Sequence, residues 1–292
     1  MREGHRVVDR LSSELLGFDA DARVLLVNAD DLGMHSAINE AIFACLDDGV
    51  VCSTSLMTVC PGTSHALQLL RCRPATAVGV HLTLVRDHVD DEWRPAAPLD
   101  RVRSLVDDSG RFRVQTARDE AVREMRIGEV ELEFREQLKS AVSAGVHPTH
   151  LDFHCLADGG RPDILEVAAS LAAEHGLALR VWTEPALSRA RSVGQPVIDH
   201  PFLDSYALDP ATKQGQYETL LRDLPVGLTE WAVHPAAKDA GMASLDPSSW
   251  RVRTSDLDFL ISPRARQIIR EEEITLIGYD TVRSVWRACS YI

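Results

Sequence analysis

Short apolar runs of strand type alternate with stretches of helical period along nearly the whole chain, and this alternation limits the fold more than any other feature. "RVLLVN" (23–28) precedes "SAINEAIFACLDDG", where Ile38, Ile42 and Leu46 recur at helical spacing until Gly49 stops the pattern. "VCSTSLMTV" predicts a second strand, "SHALQLLRC" a short helix and "ATAVGVHLTL" a third strand. Ile127, Val130, Phe134, Leu138 and Ala141 then mark a long helix that Gly145 ends. "PTHLDFHC", "LALRVW", "GLTEWAVH" and "ITLIGY" continue the strands, with "PDILEVAASLAAEHG", "YETLLRDLP" and a segment around 256–271 as helices between them. Strands separated by helices pair in parallel and are buried from outside by those helices, so the pattern predicts a barrel or an open doubly wound sheet. Three stretches break it: an N-terminal extension (1–20) and two aperiodic polar segments (86–117 and 235–253) expected to be insertions. Loops as long as the first insertion are usually functional lids or disordered.

At 292 residues with 45% hydrophobic content, the chain can build one large α/β core, and a single domain over 1–292 is expected. The net charge of −13 argues against nucleic acid or an anionic membrane as a partner, because both attract basic surfaces. Six cysteines lie scattered through apolar segments without CxxC spacing, which predicts buried thiols rather than a disulfide framework. The first twenty residues hold no uninterrupted apolar run and no later run is long enough to span a bilayer, so a cytoplasmic protein is expected.

Ligands of parallel α/β folds bind at the carboxyl ends of the strands. "RVLLVN" leads to Asp30 and Asp31, "ATAVGV" to His81, "PTHLDF" to His154 and "LTEWAV" to His234. Each has a bland explanation alone: a helix cap for either acid, a satisfied core histidine for His81, a loop residue for His234. Convergence of all four segments on one rim is what favours function. Along "HLDFH", His150, Asp152 and His154 share a strand face opposite Leu151 and Phe153. One carboxylate with two neutral imidazoles suits a divalent cation that keeps positions open for water and substrate. Such an ion lowers the pKa of water and polarises a carbonyl; a second carboxylate can then act as base and a further histidine as acid. The sequence supplies one candidate for each part. Two neighbouring acids on a smooth strand face opposite ways, so the pair demands solvent or a cation. No GxSxG, HExxH, GxxxxGK or GxGxxG motif competes. Trp182 and Trp231, near strand ends, could stack on a sugar face, but packing in the core is the expectation for each.

"VNADDLG", "GVHLTL", "PTHLDFH" and "VHPA", in that order over almost the whole chain, resemble the YdjC/ChbG-like carbohydrate deacetylases, a family of metal-dependent N-deacetylases. The resemblance implies a distorted, TIM-like (β/α) barrel, often a homodimer, acting on a small carbohydrate. It further implies Asp31, His81 and His154 as ligands of one divalent ion (Mg²⁺ or Zn²⁺), Asp30 as general base and His234 as general acid. Arg180 in "LALR" matches an arginine that orients the base, and Asp152 is grouped with it as an orienting or substrate-binding residue. His150 and His200 stand as reserves for the metal and acid roles. Where family members acting on chitooligosaccharides continue "HLDSHHHVH", this chain has Cys155, Leu156 and Ala157, a more apolar floor. The expected reaction is removal of an N-acetyl group from an acetamido sugar or related small amide. The rivals are an inactive metal-containing sugar-binding protein and a metal-dependent phosphoesterase, which normally wants basic residues to grip phosphate.

Overall fold

A computed structural model describes residues 10–239, 243, 247 and 249–289. Residues 1–9 of the expected extension and 240–242, 244–246 and 248 of the second expected insertion lie outside the described residues, as do 290–292.

Eight parallel strands form the main sheet: β1 (Arg23–Leu32), β2 (Ser53–Leu56), β3 (Ala77–Leu82), β6 (His150–Phe153), β7 (Ala178–Leu179), β8 (Leu203–Asp204), β9 (Gly227–Val233) and β10 (Thr275–Ile277). Two further strands, β4 (Val85–Arg86) and β5 (Arg113–Val114), pair only with each other. The lateral order of the main sheet is β7-β6-β3-β2-β1-β9-β8. From β1 the order runs outward through β2, β3 and β6 to β7. The chain then reappears at the opposite end as β8 and returns through β9 to pair with β1. A doubly wound sheet would instead place the next strand beside β1 and work outward. The observed order is that of a cylinder traversed once, open between β7 and β8, so the fold is a distorted (β/α) barrel. β10 fills a seam: it pairs with Val24–Leu26 of β1, below the stretch of β1 that pairs with β2.

Strands covered on both faces show continuous apolar runs rather than alternation. Val24, Leu25, Leu26 and Val27 are all buried, which is why "RVLLV" has no period of two. Outside, the helix Ile127–Ser143 turns Val130, Phe134, Leu138 and Ala141 inward, as its spacing predicts. The predicted helix around 256–271 is two helices, Trp250–Leu260 and Pro263–Glu271. Pro263 cannot continue a helix but suits a first turn, and Ser262 Oγ caps the new one by accepting the Ala265 N–H.

The 86–117 insertion is ordered and adds its apolar residues to the barrel's core, contrary to its aperiodic appearance. Trp93, Val102, Leu105 and Phe112 are buried beneath it, and β4 pairs with β5 at its base. Glu133 on the long helix accepts the backbone N–H groups of Ala96 and Ala97, both at 2.9 Å, and fixes the insertion to the barrel. Its apolar residues follow irregular turns instead of one element, so no period betrays them.

Candidate active site

β1 does not end at Asn28 but runs through both acids to Leu32. From Ala29 to Leu32 it takes three steps while β2 takes two, from Thr54 to Leu56. The extra residue is a β-bulge, and Asp31 sits there with φ at +71°. Asp tolerates the left-handed region better than most side chains, although the position still costs about 1–2 kcal/mol. The bulge removes the alternation that separates neighbours on a smooth strand, and Asp30 and Asp31 both line one cavity of about 500 Å³. The Gly of "ADDLG" follows for a steric reason: Gly33 has φ +99°, and a Cβ there would lie 2.6 Å from the Met57 carbonyl oxygen.

Asp31, His81 and His154 come together and are buried. Oδ1 of Asp31 lies 3.5 Å from His81 Nε2 and 3.3 Å from His154 Nδ1. The other nitrogen of each ring meets a second carboxylate. His81 Nδ1 is 2.9 Å from Asp152, its register partner on β6, and His154 Nε2 is 2.8 Å from Asp87. Outer carboxylates of this kind fix the tautomer and aim of metal-binding imidazoles, so the donor set fits a divalent cation. The same acids hold protons on the rings when no ion competes. Burial pulls the His81 pKa down, but Asp152, Asp31 and Asp30 push it up to about 9, and His154 is likewise raised against its burial, by Cys155, Asp87 and Asp31. Burial would raise Asp31, yet the Arg253 guanidinium, 2.7 Å from Oδ2, and the two imidazoles hold it well below the usual carboxylate range.

Asp30 is gripped differently. Arg180 meets its two oxygens at 2.8 and 3.0 Å in a bidentate pair, and Asn28 Nδ2 donates to Oδ1 at 2.7 Å. Arg180 also donates to Asp152 Oδ2 at 2.8 Å and to Glu230 at 2.7 Å, while the Tyr279 hydroxyl donates to Glu230. The guanidinium therefore ties Asp30 to Asp152, the acid behind His81. Asp152 itself is pushed up by burial and held well below the ordinary range by Arg180 and His81.

His234, after β9, lines the same cavity. Its Nδ1 is 2.9 Å from Ser205 Oγ, and its backbone N–H donates to Asp256 Oδ2 at 2.9 Å. The two reserve histidines lie elsewhere. His150 is fully buried under the site, stacked 3.7 Å from the Tyr279 ring and bonded to Thr149 and Ser55. Its ring explains the Gly of "GVH", since a Cβ on Gly79 would lie 2.4 Å from it. His200 is 2.6 Å from the Val226 carbonyl oxygen, away from the cavity. Trp231 packs in the core against Tyr217, as expected. Trp182 does not: it stacks on Phe202 at 4.7 Å and both rings line the cavity.

Sequence reasoning missed Asp87, Ser205, Glu230, Arg253 and Asp256. Asp87 and Arg253 fall inside the two aperiodic segments, 86–117 and 235–253. Glu230 carried a usable signal, an acid in the middle of a strand otherwise apolar enough to be buried on both faces.

A family model described as "YdjC-like protein" matches residues 24–271. A carbohydrate deacetylase of Geobacillus stearothermophilus is 32% identical over 258 residues, covering 88% of this chain and 97% of the relative. A chitooligosaccharide deacetylase of Serratia marcescens is 28% identical over 257 residues, covering 87% and 97%. Among solved structures, a protein of Enterococcus faecalis V583 given the provisional description of a cellobiose-phosphate cleavage protein superposes with a TM-score of 0.77 at 28% identity, covering 89% of this chain and 99% of its own. The match takes in every strand residue that lines the cavity, and the chain belongs to the YdjC-like family.

Proposed function

We propose that the protein is a metal-dependent carbohydrate N-deacetylase that cleaves the acetamide of an amino sugar or related small amide, releasing acetate and a free amine. The observation that carries this reading is the division of the cavity's two adjacent acids: Asp31 gives Oδ2 to Arg253 but turns Oδ1 to two imidazoles, whereas both oxygens of Asp30 are held by the Arg180 guanidinium and neither meets an imidazole. Asp31 Oδ1, His81 Nε2 and His154 Nδ1 would hold a divalent ion, Mg²⁺ or Zn²⁺. Bound there, the ion supplies polarisation of the amide carbonyl and a lowered pKa for water. Asp30 is then the base that takes a proton from the attacking water, its oxygens aimed by Arg180 and Asn28. His234 approaches from another strand and protonates the amine nitrogen as the C–N bond breaks. Trp182 and Phe202 offer an aromatic wall to a sugar face. The names of the relatives, carbohydrate and chitooligosaccharide deacetylases, support the same substrate class.

Acetate release from a panel of N-acetylated mono- and disaccharides tests the reading. Turnover that disappears with a chelator and returns with Mg²⁺ or Zn²⁺ is expected. A panel without release, alongside hydrolysis of a sugar phosphate, would overturn it in favour of the phosphoesterase.

A further inference from the structure

We propose that Ser205 is a positioning residue that locks the tautomer of His234, placing the neutral ring's proton on Nδ1 and keeping Nε2 for the substrate. The inference rests on the reading of His234 as the general acid. The lock begins at Asp256, which is fully buried and receives four donors. Lys213 Nζ at 2.5 Å and the Tyr217 hydroxyl at 2.9 Å meet its Oδ1. The His234 backbone N–H at 2.9 Å and Ser205 Oγ at 2.6 Å meet its Oδ2. An ammonium and a backbone amide can only donate, so both carboxylate oxygens are acceptors. Lys213 is fully buried too, within ion-pair distance of Asp256.

A serine hydroxyl has one proton. At 2.6 Å from a carboxylate oxygen that already accepts the His234 N–H, that proton must point to Asp256, since two lone pairs would otherwise face each other. Toward His234 Nδ1, 2.9 Å away, Ser205 is left with lone pairs only. Nδ1 must therefore carry hydrogen in every charge state of the ring. Asp204 Oδ1, at 3.9 Å from Nδ1, is too far to form a competing hydrogen bond and accepts the Tyr206 N–H instead.

The consequence is chemical. A ring holding hydrogen on Nδ1 gains and loses its second proton only at Nε2, the nitrogen left to the cavity. When the C–N bond breaks, its electron pair goes to the amine nitrogen, which takes the Nε2 proton. The neutral ring that remains is already in its hydrogen-bonded tautomer and need not flip. Without Ser205 the neutral ring would be free to adopt the Nε2–H form that dominates in water, and its acceptor nitrogen would turn away from the substrate side.

Nitrogen-15 NMR of the imidazoles, assigned with a His234→Gln variant, reads the tautomer directly and needs no substrate. Neutral His234 of the intact protein is expected as Nδ1–H, and an Nε2–H ring would overturn the lock. Ser205→Ala should move the ring toward Nε2–H and lower kcat about 10–100-fold, the usual cost of losing an outer partner, with KM little changed. Ser205→Thr, which restores the hydroxyl, should recover both. Full kcat in Ser205→Ala would overturn the lock even if the variant folds normally. A fully active His234→Gln would instead overturn the acid assignment beneath it, so the two failures are distinguishable.

Discussion

Asp31 answers to demands that an ordinary strand cannot meet together. It must follow Asp30 directly, share a cavity with it, and still face different partners. The bulge at φ +71° meets all of these, at a local conformational cost that the buried partners of Asp31 offset. The division gives opposite expectations for two isosteric changes. Asp31→Asn should lose both bound metal and turnover, because a neutral amide is a poor ligand between two imidazoles. Asp30→Asn should keep the metal, measured by elemental analysis, and lose turnover by roughly 10²–10⁴-fold, as expected for removal of a general base. Equal metal loss in both would show the pair to be misassigned. The identities of the acids and of His81, His154 and His234 were legible because each follows a recognisable apolar run. Their aim was not, since a bulge depends on register with β2, which no local pattern in β1 encodes. His150 shows the converse: it shares a strand face with Asp152, yet the stacking of Tyr279 from a helix more than a hundred residues later settles its role in the core.

Among elements, the 86–117 segment departs furthest from its sequence pattern. It brings Asp87 to His154 and lays Trp93 edge-on against the same ring at 5.5 Å, so it backs the site rather than hanging loose above it. Two carboxylates of the long helix attach it: Glu129 accepts the Ser104 N–H and hydroxyl at 2.6 and 2.8 Å, and the buried Glu133 holds a second point. Glu133 accepts from Ala96 and Ala97, and Gln137 Nε2 donates to it at 2.7 Å. Burial nonetheless pushes its pKa up, so these donors only partly replace lost water. Glu133→Ala leaves two backbone N–H groups unsatisfied and should destabilise by about 1–3 kcal/mol. Limited proteolysis should then cut first within 86–117, and His154, losing its backing from Asp87, should bind metal more weakly. A variant cut first at another site, with the insertion still protected, would show that the attachment lies elsewhere. The strands were legible because burial on both faces makes short continuous apolar runs, and most helices because burial on one face imposes a period. This insertion was not, because the apolar residues it packs onto the barrel are gathered from turns.

Across the barrel, every long strand delivers side chains to one end, and many of them are charged and buried. Stability must therefore respond to pH through the site itself. Without metal, His81 in the folded chain holds its proton up to about pH 9, whereas an unfolded histidine releases it near 6.5. A folded pKa above the unfolded one gives stability that is complete below pH 6.5 and is lost as pH rises through 9. His154, also raised, adds in the same direction. His150 is opposite in sense: burial lowers its pKa, so it withdraws stability as pH falls below 6.5. Chelated protein should thus show its highest melting temperature near pH 6.5 and decline steadily toward pH 9. A divalent ion competes with protons for the same nitrogens, so its stabilisation should grow over the same interval. The two melting curves should diverge with rising pH, which thermal scans with chelator and with excess Zn²⁺ or Mg²⁺ can measure. Exchanging His81 for Gln should flatten the chelated curve and remove much of the gain from metal. Parallel curves in the unmodified protein would mean that the ion, if bound, sits on groups other than these imidazoles.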